Sequence, residues 1–290
     1  MGGRRHFRVF SSGNPCRIFM ALMFSCCASS ALAVDDNSGK SVGDVVILPG
    51  FSMGTAAAVP GSLHYPGQEY FSGTGWWTLS CNTVCELMKV ALTARPKLHP
   101  AYDSSPVPGQ LLTFSPVPGA DAILFFKPLR IEAAALRLQE GVVTTFHPGK
   151  DSRLRSSNST AGTMEAEMTL PGGEFLRLVP VLQLSGEEKA AAAAAANEEP
   201  PLVLELRLGK RRQVLAGFDY VALEGPVAVS PKSYLRWSGD LDRDGKPDLL
   251  LSVAGGSAKL LLYLSSLAKE GEIVGSAGIF TYYPIDSAGC

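Results

Sequence analysis

The sequence predicts a mainly β protein, with antiparallel sheets in a sandwich or barrel-like arrangement and a strand–loop–strand unit near its C-terminus. Glycine (30) and proline (20) are frequent among the 290 residues, which favours many turns over long helices. Short apolar or alternating runs return at turn-separated intervals, as antiparallel strands do. Hydrophobic residues make up 46% of the chain and charged residues 18%, so the chain can bury a folded core.

Residues 1–33 have the layout of a secretory signal peptide. Four arginines and no acidic residue precede or flank a short apolar run at 18–28, and small residues lead to a predicted cleavage after Ala33. The apolar run is shorter than the ~20 residues of a membrane span. We therefore expect an exported protein, periplasmic or extracellular, without a transmembrane segment in its mature chain. Lipid attachment through Cys26 or Cys27 stays an alternative.

The charge balance argues against one class of partner. The formal net charge is -1, and loss of four of the 26 basic residues with the signal peptide leaves 22 against 27 acidic ones. A nucleic-acid-binding protein needs a basic patch, and no such patch stands out in the mature chain. We therefore expect no nucleic-acid partner.

The mature chain divides into two β-rich regions around a low-complexity segment. We predict an N-terminal region at 34–184, an Ala-rich insertion or linker at 185–201 and a C-terminal region at 202–290. Seven alanines at 190–196 followed by two prolines allow a loop extension or a boundary between halves. Short strands are predicted at 45–48, 111–114, 122–127, 142–146 and 164–170, and a hairpin at 202–218 around the basic turn 209–212. That turn is most simply a solvated cluster, with an anionic partner as the alternative.

Two cysteines predict a stapled hairpin. Cys81 and Cys85 lie close together in a chain expected in an oxidising compartment, so a disulfide across a tight turn is their default role. The apolar run 76–81 and the alternating run 84–92 predict strand–turn–strand, although the second run also contains good helix formers. Cys290 is left over, so its pairing with either cysteine stays an alternative.

The most specific feature of the sequence is an acidic loop at 239–248. Its carboxylates recur at spacings of two, two and four residues, with a glycine after the third that permits a sharp turn. Calcium takes about six to eight oxygen ligands in flexible geometry, whereas magnesium retains waters, so calcium is the expected ion. The predicted ligands are the carboxylates of Asp240, Asp242, Asp244 and Asp248 and the backbone carbonyl of Lys246. A solvated acidic turn is the alternative.

The flanking residues decide which kind of calcium loop this is. An EF-hand carries a bidentate Glu at loop position twelve, where this chain has Leu251, and its helices are not supported here. Residues 240–249 match D-x-D-x-D-G-x-x-D-L throughout and resemble the calcium loop of the FG-GAP/VCBS repeat family, which joins two strands. The resemblance covers 237–251 and implies a structural calcium site. It does not imply a propeller, because the chain has one such loop. More loosely, the whole mature chain resembles exported bacterial proteins that end in one such loop, and that resemblance implies no activity.

The leading functional expectation is an exported, non-enzymatic calcium-binding protein that acts as a binding or surface-associated module. A cell-surface protein or a glycan is the class of partner considered. Nothing in sequence near the loop suggests that the ion activates water, because no His or further acid is grouped with it.

Two other function classes stay open on short motifs. Gly50-Phe51-Ser52-Met53-Gly54 follows a predicted strand and matches the nucleophile elbow of a serine hydrolase, but the helix that should follow is not supported. Carbohydrate binding through Trp76, Trp77 and Tyr70 is the third class, since aromatic rings can stack on sugars. Neighbouring Trp residues in a strand more often place one ring in the core and one at its rim.

Overall fold

Seventeen strands and one short 3-10 helix make up the described part of the computed structural model. The described residues are 41–50, 62–66, 69–99, 107–116, 122–132, 135–147, 165–182, 202–215, 234–253 and 258–282. All of them belong to one unit, 37–290. The predicted signal peptide, Ser52, the Ala-rich segment and Cys290 lie outside the described residues.

The strands differ in length from two residues to fifteen. In chain order they are β1 (Ser41–Gly43), β2 (Val45–Pro49), β3 (Ser62–Pro66), β4 (Gly73–Cys81), β5 (Cys85–His99), β6 (Val107–Ser115), β7 (Ala122–Pro128), β8 (Gly141–Val142), β9 (Thr144–His147), β10 (Ala166–Thr169), β11 (Phe175–Leu182), β12 (Leu202–Leu208), β13 (Arg211–Val214), β14 (Leu235–Asp240), β15 (Asp248–Val253), β16 (Ala258–Leu264) and β17 (Gly275–Tyr282). The 3-10 helix Ser265–Leu267 follows β16.

Three antiparallel sheets confirm the predicted fold class. A seven-stranded sheet has the order β2-β7-β4-β5-β6-β3, with β8 paired to β5. A six-stranded sheet has the order β1-β17-β16-β15-β14-β9, and a four-stranded sheet has the order β10-β11-β12-β13. One of the sheets is curled like half a barrel.

The six-stranded sheet is buried on both faces, because it lies between two hydrophobic cores. Leu250 and Leu262 pack in a core shared with the seven-stranded sheet, whereas Leu249 and Leu261 pack in a second core with the four-stranded sheet. Strands covered on both faces are apolar at successive positions rather than alternating. This explains the leucine runs at 249–251 and 260–262.

The stapled hairpin is confirmed. Strands β4 and β5 pair antiparallel, with Cys81 opposite Cys85, and the two cysteines form a disulfide. The alternative of a helix after Cys85 is wrong, because that run pairs with β4 on one side and with β6 on the other. The predicted hairpin after the Ala-rich segment is present as β12 and β13.

The regions on either side of 185–201 share a sheet. Strand β9, from the region before that segment, pairs with β14, and β1 pairs with β17. The first core likewise combines Trp77 with Trp237. Any boundary at 185–201 therefore cuts between residues that pack together in one sheet and one core.

Candidate metal centre

The acidic loop connects two neighbouring strands of the buried six-stranded sheet. Strand β14 ends at Asp240 and β15 begins at Asp248. Gly239 is required at the entry, because a Cβ there would lie 2.3 Å from the Trp237 ring and 2.4 Å from the Thr144 carbonyl oxygen. Gly245 has φ of +84°, a left-handed conformation that glycine adopts at little cost. The loop therefore leaves and re-enters the core within a few residues.

Three of the predicted ligands come together. Ligand oxygens of Asp240, Asp242 and Asp244 all lie within 4.8 Å of one another, a group that could hold a metal ion. Asp242 is 1% exposed, and its Oδ1 is buried without a hydrogen-bond partner. A buried carboxylate oxygen without a partner is costly, because it has lost its water and gained nothing. Its position beside two further carboxylates is the arrangement that a cation would satisfy.

Asp248 lies at the same loop but has a different environment. It is fully buried, and each of its oxygens accepts a backbone N–H: Oδ2 from Leu241 at 2.7 Å and Oδ1 from Ser265 at 2.7 Å. These bonds join the two ends of the loop to the 3-10 helix. Asp248 is outside the group of three, and its oxygens already have partners. It acts here as a brace for the loop, and its predicted role as an ion ligand stays a prediction.

The predicted contribution of Lys246 also stays a prediction. The Lys246 N–H donates to Asp244 Oδ1 at 2.8 Å, and its ammonium lies 3.6 Å from Asp244 Oδ2. The side chain is 66% exposed, so this ion pair is weak. The ammonium partly neutralises the outermost carboxylate of the group from the solvent side.

Backbone donors hold the remaining carboxylate in place. The N–H of Asp244 donates to Asp240 Oδ1 at 2.9 Å, and the N–H of Gly245 donates to Asp240 Oδ2 at 3.0 Å. A carboxylate oxygen has more than one lone pair, so these bonds leave acceptor capacity toward the interior of the loop. The loop thus presents a preformed set of oxygens.

Two serines that the sequence analysis missed complete the site. Ser266 donates its hydroxyl to Asp242 Oδ2, and the Ser265 hydroxyl lies 2.9 Å from Asp244 Oδ1 and 3.1 Å from Asp248 Oδ1. Both serines belong to the 3-10 helix, and Ser266 lies 24 residues beyond Asp242 in the chain. No local spacing in the sequence signals this contact, because it depends on the return of β16 beside β15.

Burial raises the pKa of several of these carboxyls. Desolvation is the largest cause for Asp240 and Asp242, and the charge of Asp244 raises both further, against hydrogen bonds that lower them. The pKa of Asp248 is raised well above its ordinary value by burial and then by the charge of Asp242. The loop is therefore a place where added positive charge is favourable.

Arg243 fastens the loop to a neighbouring segment. Its φ of 59° is left-handed, and its guanidinium donates to Gln139 Oε1 at 2.9 Å. The same group reaches backbone carbonyls of Gln139 at 3.3 Å, Glu140 at 3.4 Å and Val142 at 3.5 Å. Strand β8 begins in this segment and pairs with β5 of the seven-stranded sheet. The acidic loop is thus tied to both of the larger sheets.

The aromatic residues considered for sugar stacking lie elsewhere and are buried. Tyr70 is 5% exposed, and Trp76 and Trp77 are 3% exposed each. Trp76 packs edge-on against Phe114, with 6.0 Å between ring centroids. These rings fill the core and offer no open stacking face. The interpretation of one tryptophan in the core and one at its rim is also wrong, because both are in the core.

Two other findings concern the hydrolase motif and membrane spans. The motif at Ser52 lies outside the described residues. No helix in the described ranges is long and apolar enough to cross a membrane.

Comparisons with known proteins identify no relative of this chain. The chain matches no protein-family model, no curated protein and no solved structure. The resemblance of residues 240–249 to an FG-GAP/VCBS calcium loop therefore stays a prediction, and it rests only on the sequence of the loop itself.

Proposed function

We propose that the protein is an exported, non-enzymatic binding or surface-associated module whose acidic loop holds one structural calcium ion. The observation that carries the calcium site is the buried, unpartnered Oδ1 of Asp242 beside the carboxylates of Asp240 and Asp244. Export is supported by the layout of residues 1–33.

The chemistry of the donors favours calcium over other ions. All three side chains of the group offer hard carboxylate oxygens, and no Cys or His belongs to it, which disfavours zinc and copper. Hydroxyls and backbone groups around the carboxylates suit an ion with many oxygen ligands at variable distance. Magnesium requires a near-octahedral shell and usually keeps several waters, which a largely buried loop hinders.

The expected role of the ion is to stabilise the junction of β14 and β15. Extracellular modules bind calcium with dissociation constants of about 0.1–1 mM. At about 1 mM free calcium, such an affinity stabilises the folded state by about 0.4–1.4 kcal/mol. For a domain of this size that corresponds to a rise in melting temperature of about 1–5 °C.

Thermal melting of the purified mature protein tests the proposal. In metal-free buffer the protein should melt about 1–5 °C lower than in millimolar calcium, and equimolar magnesium should give a smaller rise. Asp242→Asn should abolish the rise, because it removes one ligand charge without changing the side chain's shape. Glu270→Gln is the matched control, since it removes an exposed acidic charge that is not one of the proposed ligands and should keep the full rise.

Two outcomes would contradict the proposal. Identical melting temperatures of the wild type with and without calcium would show that the protein has no stabilising calcium ion. A rise that persists in Asp242→Asn would place the ion somewhere other than in this loop.

A further inference from the structure

We propose that the outer face of the four-stranded sheet holds a binding site for a phosphate-bearing ligand. A pocket of about 400 Å³ opens on this face and is lined by Glu174, Phe175, Arg177, Arg207, Gly209 and Arg212. The proposal is independent of the calcium site, because the pocket shares no residue with the acidic loop.

Three arginines form one row across neighbouring strands. Arg177 on β11 lies directly opposite Arg207 on β12, and Arg207 lies directly opposite Arg212 on β13. Directly opposite residues have Cβ atoms about 5 Å apart on the same face of a sheet. The three guanidinium groups therefore project from one face within reach of a single small ligand.

Three neighbouring arginines repel one another unless nearby negative charges compensate them. Like charges directly opposite one another destabilise a sheet. Within the chain, Glu167 accepts from Arg177 Nε at 2.7 Å, and Glu205 accepts from Arg207 Nε. In the described part of the chain Arg212 has no carboxylate partner. Lys210 in the preceding turn adds further positive charge at this edge, whereas Arg211 is the first residue of β13 and donates to the Glu272 carbonyl oxygen.

The two internal ion pairs also orient the row for a ligand. Each uses the Nε–H of its arginine, so the terminal nitrogens retain N–H donors. Arg207 is only 31% exposed in its side chain, so its guanidinium has few other positions to adopt. Carboxylates thus hold Arg177 and Arg207 in place. Arg212 lies beside them without an ion pair among the described residues.

Phosphate fits this arrangement better than a carboxylate does. One guanidinium fork satisfies a carboxylate, whereas a doubly charged phosphate has enough acceptor oxygens for two or three guanidiniums. Phe175 is 48% exposed at the rim and offers an apolar surface, while Glu174 offers hydrogen-bond acceptors to hydroxyls. These neighbours suit the organic part of a phosphate ester. The ester can be a soluble molecule or a lipid headgroup.

Calorimetric titration of the mature protein with inorganic phosphate tests the site. The experiment uses metal-free buffer at fixed ionic strength, which keeps it separate from calcium binding. Arg212→Gln and Arg177→Gln should each weaken binding by about tenfold, the loss that one charge-assisted hydrogen bond predicts. Lys210→Gln is the control, because it removes the same charge from the adjacent turn outside the pocket lining. It should change the affinity by less than about twofold, as expected for a screened surface charge.

A second measurement distinguishes the two sources of phosphate. Cosedimentation with phosphatidylcholine vesicles that contain phosphatidic acid, but not with pure phosphatidylcholine vesicles, would identify a lipid headgroup. Binding of inorganic phosphate without cosedimentation would identify a soluble ester. Absence of both would overturn the site, and so would equal weakening by Lys210→Gln and Arg212→Gln, since net charge alone would then explain the binding.

Discussion

Asp242 and Asp248 have the same side chain but differ in the hydrogen bonding of their carboxylate oxygens. Asp242 has an oxygen without a partner, whereas both oxygens of Asp248 accept backbone N–H groups. An Asn at 248 would direct an NH₂ group at one of these donors and leave a buried N–H unsatisfied. We expect Asp248→Asn to lower the free energy of unfolding by about 1–3 kcal/mol in metal-free buffer, measured by urea denaturation.

Asp242→Asn is the matched comparison for that measurement. It removes a charge that Asp240 and Asp244 repel, so in metal-free buffer it should leave stability unchanged or raise it. A loss of stability as large as that of Asp248→Asn would show that the two carboxylates are equally structural. The assignment of Asp242 to the ion and of Asp248 to the scaffold would then be wrong.

The spacing of these aspartates can be predicted from the sequence, but their surroundings in the fold cannot. The spacing of Asp240, Asp242 and Asp244 predicts their proximity, since all three lie on one short turn. The burial of Asp248 beneath Ser265 is not predictable in the same way. It requires β16 to run antiparallel to β15 and to bring the 3-10 helix back over the loop. The buried oxygen of Asp242 follows from that same packing.

At the scale of elements, the acidic loop connects two sheets in addition to forming the proposed ion site. Arg243 reaches across to the carbonyl oxygens of the segment that leads into β8. We expect Arg243→Asn to remove these bonds without straining the backbone, because Asn tolerates the left-handed conformation found here. Amide hydrogen exchange across 135–147 should become faster, and stability should fall by about 0.5–1.5 kcal/mol.

The control for Arg243 is another exposed arginine. Among the described residues, the Arg130 guanidinium makes only a long ion pair of 3.8 Å with Asp44, so Arg130→Asn changes the charge equally without removing a contact to the loop. Exchange across 135–147 should then match the wild type. Both variants should keep the calcium-dependent rise in melting temperature, because neither removes a proposed ligand. Unchanged exchange in Arg243→Asn would mean that the guanidinium does not hold the segment in solution.

The sequence predicts hairpins well and long-range pairings poorly. Turn residues and alternation locate β4–β5 and β12–β13, because each pair is separated by only two or three residues. The pairing of β9 with β14 places Thr145 opposite Gly239. It also lets the Trp237 Nε1–H donate to Thr145 Oγ1 across a sequence separation of 92 residues. Apolar patterning at β9 does not identify its partner strand. The Trp76-Trp77 pair misleads for a similar reason, since burial on both faces of β4 depends on the layers that cover it.

At the scale of the whole molecule, the described strands form one interleaved structure. Strands β1 and β9 complete the sheet that β14 to β17 begin, and the first core contains residues from both sides of 185–201. A fragment that starts at 202 would lose both edge strands of its sheet and most of the described residues of that core. Apolar surface exposed in this way would be a strong driving force for reassociation.

This interleaving predicts the behaviour of a chain cut once between its two regions. After complete cleavage at a specific protease site inserted within 185–201, the two fragments should still coelute in size-exclusion chromatography. They should separate only in denaturant, because the β9–β14 and β1–β17 pairings and the shared core hold them together without the peptide bond. The uncut protein with the same inserted site is the control for elution volume. Separation of the fragments in native buffer would instead establish two independently folded domains, and the buried six-stranded sheet would then have to be stable with both of its edges exposed.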